Sequence, residues 1–305
     1  MTKKLLALLL AAMLTLCACA ALAEAPAVSV TDMMGREITL TAPATRIVAL
    51  TAADCEILCA LGCGDALVGR GEYCDYPASV LEKPSVQSGY NTNIEEIIAL
   101  QPQVVLMGTM AQTTEQVEAL SAAGIQVVVS DAQDIEGVYT AIRLIGALMG
   151  KDAEAEALVG GMQATFAQIA EQAQPSGKTV YFEVSPLQWG LWTAGKGTFM
   201  DELATLCGLE NAFADVEGWG EISEEQVIAR DPDYIVTITM YYGEGPTPVE
   251  EIKGRAGWET LKAVVNDNIL NADSNEISRP GPRLQDAVKT LYDFVYGADA
   301  EAPAA

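Results

Sequence analysis

KDAEAEALVGGMQATFAQIAEQAQ, residues 151–174, decides how the rest of the chain is read. Leu158, Met162, Phe166, Ile169 and Ala173 recur at steps of three and four, which lines them along one face of a helix. Asp152, Glu154 and Glu156 fill the first turns, where the helix dipole favours negative charge. Pro175, Ser176 and Gly177 stop the run. Such a helix spans roughly 36 Å, about the width of a small domain. Strand-like and helix-like segments alternate on both sides of it. The stretch therefore predicts a stiff connector between two α/β halves, against the plainer reading of a surface helix on one larger domain.

Toward the N-terminus, residues 134–149 read as a helix, 125–129 as a strand, 114–123 as a helix and 104–107 as a strand. Before them come a helix at 93–100, a helix at 54–61, the buried strand 46–50 and a hairpin over 28–40. Toward the C-terminus the order returns: strand 179–184, helices 198–206 and 224–230, strand 234–238, helix 258–264, strand 269–271 and a closing helix 284–296. Strands separated by helices predict mainly parallel sheets with crossovers. The halves also echo in letters. EEIIALQP (95–102) aligns with EQVIARDP (225–232), and the segment from Glu56 through Gly62 aligns with that from Glu202 through Gly208. Two similar lobes on a stiff helix leave a cleft between them, the favoured place for a small ligand. The fold class is thus α/β, two Rossmann-like lobes joined by one long rigid helix, with the ligand cleft between lobes.

The first residues lie apart from that fold. Lys3 and Lys4 precede the apolar run 5–16, the layout of an export signal, and the run is too short to span a bilayer. Leu16-Cys17-Ala18-Cys19 resembles a bacterial lipobox, which makes Cys19 the lipid-carrying first residue. Cleavage after Ala23 is the alternative. The expected layout is signal 1–18, linker 19–27, first lobe 28–150, connecting helix 151–174, second lobe 175–297 and a frayed tail 298–305. Removing 1–18 takes the formal charge from −25 to −27, a surface that repels nucleic acid and anionic lipid. There is no histidine, which excludes Ser-His-Asp triads and His-ligated zinc. Beyond the signal stand Cys55, Cys59, Cys63, Cys74 and Cys207. The apolar run CEILCALGCG favours packing of its cysteines over a soft-metal face.

RIVALTAADCEILCALGCGDALVGRGEYCDYP, NIEEIIALQPQVVL, LWTAGKGTFMDEL, GWGEISEEQVIARDPDYIV and SRPGPRL occur in this order. Together they resemble the periplasmic binding proteins of ABC importers, in the helical-backbone class serving cobalamin, ferric siderophores and haem. EYCDYP and SRPGPRL lean toward the cobalamin members, whereas EVSP (183–186) is also seen in siderophore-type members. The resemblance implies cleft positions for Tyr73, Tyr90, Trp192, Trp219 and Arg279: aromatic faces for a corrin, an arginine for its amide carbonyls. It implies permease docking by Glu95 and Glu225, one from each lobe, where the residues alone suggest helix-start charges. The implied partners are a permease dimer with its ATPase subunits and a small-molecule ligand, served by a monomer with no intrinsic cofactor, held at the membrane through its lipid. A ferric-siderophore or haem receptor is the rival within the family, with Tyr73, Tyr90 or Tyr241 as iron ligand. An exported metal-dependent enzyme built on Glu224-Glu225 or Glu250-Glu251 is the rival outside it, and no nucleophile-base pair or phosphate loop supports one.

Overall fold

A computed structural model of the chain describes residues 27–109 and 113–297. The signal, Cys19 and the tail 298–305 lie outside the described residues. The hairpin β1 (Val28–Thr31) and β2 (Glu37–Leu40) opens the chain. Next comes a sheet of β3 (Ile47–Ala49), β4 (Leu67–Gly71), β5 (Ser85–Val86), β6 (Val104–Met107) and β7 (Gln126–Val129). Its order is β5-β4-β3-β6-β7, and every pairing is parallel. The helices of this half are α1 (Ala52–Ala60), α2 (Ile94–Ala99), α3 (Thr114–Ala122) and α4 (Ile135–Met149).

The connecting helix α5 covers Asp152–Gln172, a little shorter than expected. Its buried stripe is Ala155, Val159, Met162, Phe166 and Ile169, while Leu158 is half-buried. Gly150 ends α4 in the left-handed region at φ 65°, and the chain doubles back there. Gly146 allows the return to pack closely, since a Cβ there would lie 2.5 Å from that of Ala155. The connector is more than a strut. One apolar cluster runs from Val104, Leu106 and Val128 in the first sheet, through Met162 and Phe166, to Val180, Phe182 and Val236 in the second. Cys55, Cys63, Cys74 and Cys207 are buried in this cluster and Cys59 packs against it.

The second sheet contains β8 (Thr179–Ser185), β9 (Leu191–Ala194), β10 (Glu210–Asn211), β11 (Trp219–Ile222), β12 (Tyr234–Thr237) and β13 (Ile269–Asn271). Its order is β11-β9-β8-β12-β13, with β10 also paired to β8. The sheet is mainly parallel, as expected, with one exception: β9 runs antiparallel to both of its neighbours, β8 and β11. The cause is local: the turn from Pro186 to Gly190 reverses the chain at once, leaving no length for a crossover. Around this sheet lie α6 (Phe199–Leu206), α7 (Glu224–Arg230), α8 (Pro248–Lys253), α9 (Lys262–Val265), α10 (Ser274–Ile277) and α11 (Leu284–Tyr296). The helix expected over 258–264 is only the short α9. Trp258 is fully buried ahead of it, its ring 6.5 Å from that of Tyr181. The apolar periodicity there came from core residues in turns.

Candidate functional site

In the first sheet the chain leaves β3 toward β4 on one side and later returns to β6 on the other. The gap between the C-terminal ends of β3 and β6 is therefore a topological switch point, where open α/β sheets bind ligands. Leu50, Thr51, Met107, Gly108, Gly89 and Tyr73 border a cavity of about 250 Å³ at that edge. A larger cavity, about 680 Å³, opens against the second lobe. Its wall takes Ser185 from the end of β8, Pro186, Gln188 and Trp189 from the turn that follows, and Ile238, Met240 and Tyr242 from the segment after β12. Asn275, Arg279 and Tyr73 also border it, and Tyr73 borders both spaces. The lobes thus meet around an aromatic cleft.

Two joints pin its flanks. Glu56 of α1 is 3 % exposed. Its Oε1 accepts from Arg279 Nη1 at 3.0 Å and from Arg283 Nη2 at 2.7 Å, and its Oε2 accepts from Arg283 Nε at 2.9 Å. Arg279 also donates to Asp75 Oδ1 at 2.6 Å and to the Tyr73 carbonyl at 3.2 Å. The Arg283 guanidinium lies 4.1 Å from the centre of the Tyr76 ring. On the other flank, the Gln133 carbonyl accepts from the Phe199 amide at 2.9 Å, and Gln133 Oε1 from Trp219 Nε1 at 3.2 Å. Glu202 Oε2 accepts from the Ile135 amide at 2.6 Å.

Beneath the smaller cavity lies a buried acid. Asp54 sits in the first turn of α1, where its Oδ2 accepts from the Thr51 hydroxyl at 2.5 Å, while Oδ1 has no partner among the described residues. Desolvation pushes its carboxyl up to about 6, against the hydrogen bonds of Thr51 and Ser130 and with help from the Asp131 charge. A second buried charge belongs to the body of the second lobe. Glu183 of β8 is held by Arg255 at 2.6 and 3.0 Å, and Arg255 is in turn held by Glu251.

The residues singled out in the sequence fall in three groups. Tyr73 and Arg279 line the cleft, but the Arg279 guanidinium is taken up by Glu56, Asp75 and a carbonyl rather than left free for a ligand. Tyr90 is exposed on a turn beside Gly89, and Tyr241 faces an adjoining cavity of about 390 Å³. Trp192 and Trp219 lie on β9 and β11, where Trp192 pairs with Glu221 and Trp219 with Ala194, so both point to one face of the ladder. Trp219 is half-buried, its ring 5.4 Å from that of Phe199. Glu95 and Glu225 are exposed in the first turns of α2 and α7. The tryptophan in the cleft wall is Trp189, 76 % exposed, which the sequence reading passed over. Its signal was available: a tryptophan between Pro186 and Gly190, directly after a buried strand. The acidic pair Glu250-Glu251 has local work, since Glu250 closes a capping box with Thr247 and Glu251 holds Arg255. Among the described residues no three His, Cys, Asp or Glu side chains stand together as a metal site.

A model of the periplasmic binding protein family matches residues 47–276. The chain belongs to that family. It is 33 % identical over 276 residues to an uncharacterized ABC transporter substrate-binding lipoprotein of Bacillus subtilis, covering 88 % of this chain and 85 % of that one. It is 30 % identical over 259 residues to a vitamin B12-binding protein of Salmonella choleraesuis, covering 81 % and 89 %. Among solved structures, a possible iron-binding periplasmic solute-binding protein of Staphylococcus epidermidis superposes with a TM-score of 0.71 at 32 % identity, over 83 % of this chain and 99 % of that one. Members of the periplasmic binding protein family are extracytoplasmic binding proteins rather than enzymes, and they serve importers made of permease and ATPase components. Among the described residues, no helix is long and apolar enough to cross a membrane.

Proposed function

We propose that this periplasmic binding protein captures a cobalamin-type corrinoid and hands it to a two-fold permease driven by ATPase subunits. The observation that carries the reading is the cleft wall: Tyr73 on one side faces Trp189, Tyr242 and Met240 on the other. A corrin is a broad, largely apolar ring fringed with amides. Aromatic faces and a thioether give it area at low entropic cost, and Gln188, Ser185 and Asn275 in the same wall offer partners for the amides. The identity to a vitamin B12-binding protein agrees with this. In the same reading Tyr90, Trp192 and Trp219 border the site, Glu95 and Glu225 dock on the permease, and Cys19 carries the lipid of a monomeric, surface-anchored protein. A ferric siderophore or haem is the second reading, favoured by the tyrosines at the cleft and by the likeness to an iron-binding relative.

Quenching of tryptophan fluorescence by cyanocobalamin, a ferric hydroxamate and haem, titrated separately, tests the choice. Tightest binding of cyanocobalamin is expected. Saturable binding of an iron chelate with none of the corrinoid overturns the proposal.

A further inference from the structure

The described wall of the cleft holds a single charged side chain, Arg279, and that charge is cancelled where it stands. Glu56, Asp75, Arg279 and Arg283 form a closed network of two negative and two positive groups. Glu56 is buried and shared, taking bonds from both arginines. Asp75 is different. Its side chain is 47 % exposed, it contacts Arg279 alone among the arginines, and its 2.6 Å bond is the shortest that Arg279 makes.

We infer that Asp75 is a positioning residue that sets specificity: it holds Arg279 against the first lobe with its charge neutralised, so that the cleft selects uncharged chelates over anionic ones. The inference rests on the reading of the interlobe cleft as the ligand site. Without Asp75, the network carries one net positive charge at the cavity wall. A unit charge about 6 Å from an anionic group, across a half-wet cleft, changes affinity by about a factor of ten. Haem carries two propionates and a tris-catecholate iron complex three charges. Cyanocobalamin and ferrichrome are neutral overall.

The test measures dissociation constants of the full chain for these four probes: cyanocobalamin, ferrichrome, haem and ferric enterobactin. The wild type is expected to favour a neutral probe. Asp75→Asn should raise the ratio of anionic to neutral affinity about tenfold, with the gain fading at high salt. Arg279→Gln should move the same ratio the other way, and Asp75→Glu should restore the wild-type value. A purely structural role for Asp75 lowers all four affinities together and leaves the ratio fixed, which overturns the inference. Tightest wild-type binding of haem or ferric enterobactin also overturns it. Preference for ferrichrome over cyanocobalamin removes the corrinoid proposal and supports charge selection. A fixed ratio with cyanocobalamin bound tightest does the reverse.

Discussion

Glu56 and Glu202, aligned by the internal repeat, each reach across to the opposite lobe. Glu56 of α1 accepts from Arg279 and Arg283 of the second lobe, and Glu202 of α6 accepts from the Ile135 amide of the first. Both stand on short helices opened by a threonine cap, Thr51 and Thr198. The repeat thus supplies a joint on each flank of the cleft. The first joint pairs full charges around a buried carboxylate, whereas the second relies on an amide donor, so the flanks differ in strength.

Docking should depend on the other repeated pair. Gln101 and Asp231 hold the same left-handed conformation, φ 49° and 45°, just past the helices that carry Glu95 and Glu225. Asn93 and Ser223 cap those helices through the amides of Glu96 and Gln226. Matching backbones present matching carboxylates, one per lobe, to a two-fold partner. Glu225 is held below the usual glutamate range by its own backbone amide and by Ser223, so it is charged at neutral pH. Glu95→Ala and Glu225→Ala should each weaken permease binding by about a hundredfold where the pair is desolvated. Ligand affinity should hold. Normal uptake by the double variant would make both plain helix-start charges.

Trp189 and Trp219 should separate cleanly by variant. Trp189→Ala removes an exposed ring from the cleft and should cost about 1–3 kcal/mol of ligand binding with little change in melting temperature. Trp219→Ala removes the ring packed on Phe199 and the bond to Gln133, and should cost about 2 kcal/mol of stability. The opposite pattern, binding lost with Trp219 and stability lost with Trp189, would exchange their roles.

Much of this fold is legible in letters because the apolar periods are long. The helix at 151–174, the strands near 104, 179, 234 and 269 and the closing helix all fall within a residue or two of their places. What escaped is short or decided by tertiary contact. β5 and β10 have two residues each, too few for any period to register. β9 and β11 hide because LWTA and WGEI sit among glycines, and their strand geometry comes from pairing, β9 with β8 and β11 with β9. The site suffered for it. The motif LWTAG points to Trp192, whereas the tryptophan that borders the larger cavity is Trp189. Arg279 was found as a residue of the cleft, but no sequence signal shows that Glu56, 223 positions away, already holds it.

The buried pair of Glu183 and Arg255, 1 % and 2 % exposed in their side chains, makes a sharp stability prediction. Burial pushes the Glu183 carboxyl up, and the Arg255 bonds and charge oppose it. Arg255→Met strips that compensation and leaves a carboxylate stranded in the core, at a cost of roughly 3–5 kcal/mol. Adding Glu183→Gln should recover part of the loss. Denaturant midpoints of the two variants measure this, and equal midpoints would mean that Arg255 matters only through its packing on Trp258.

Asp54 should make stability fall as pH rises. Its carboxyl titrates at about 6 in the folded chain against 3.8 for the free side chain. Between those values the folded protein keeps a proton that the unfolded chain has released. Unfolding therefore releases a proton, and rising pH favours the unfolded side. The contribution is full below the lower value and lost as pH passes the upper one, roughly 3 kcal/mol in all. The site favours the proton: Oδ1 has no donor among the described residues to satisfy a charge, and the neighbouring Asp131 disfavours a second one. Asp54→Asn carries no such titration while keeping an acceptor for the Thr51 hydroxyl. Measured from about pH 4 to pH 7, the stability of the variant relative to the wild type should rise by roughly 2 kcal/mol, the larger part of the whole effect. A difference that stays flat across that window would mean that Asp54 ionises in the folded protein as it does in the unfolded chain.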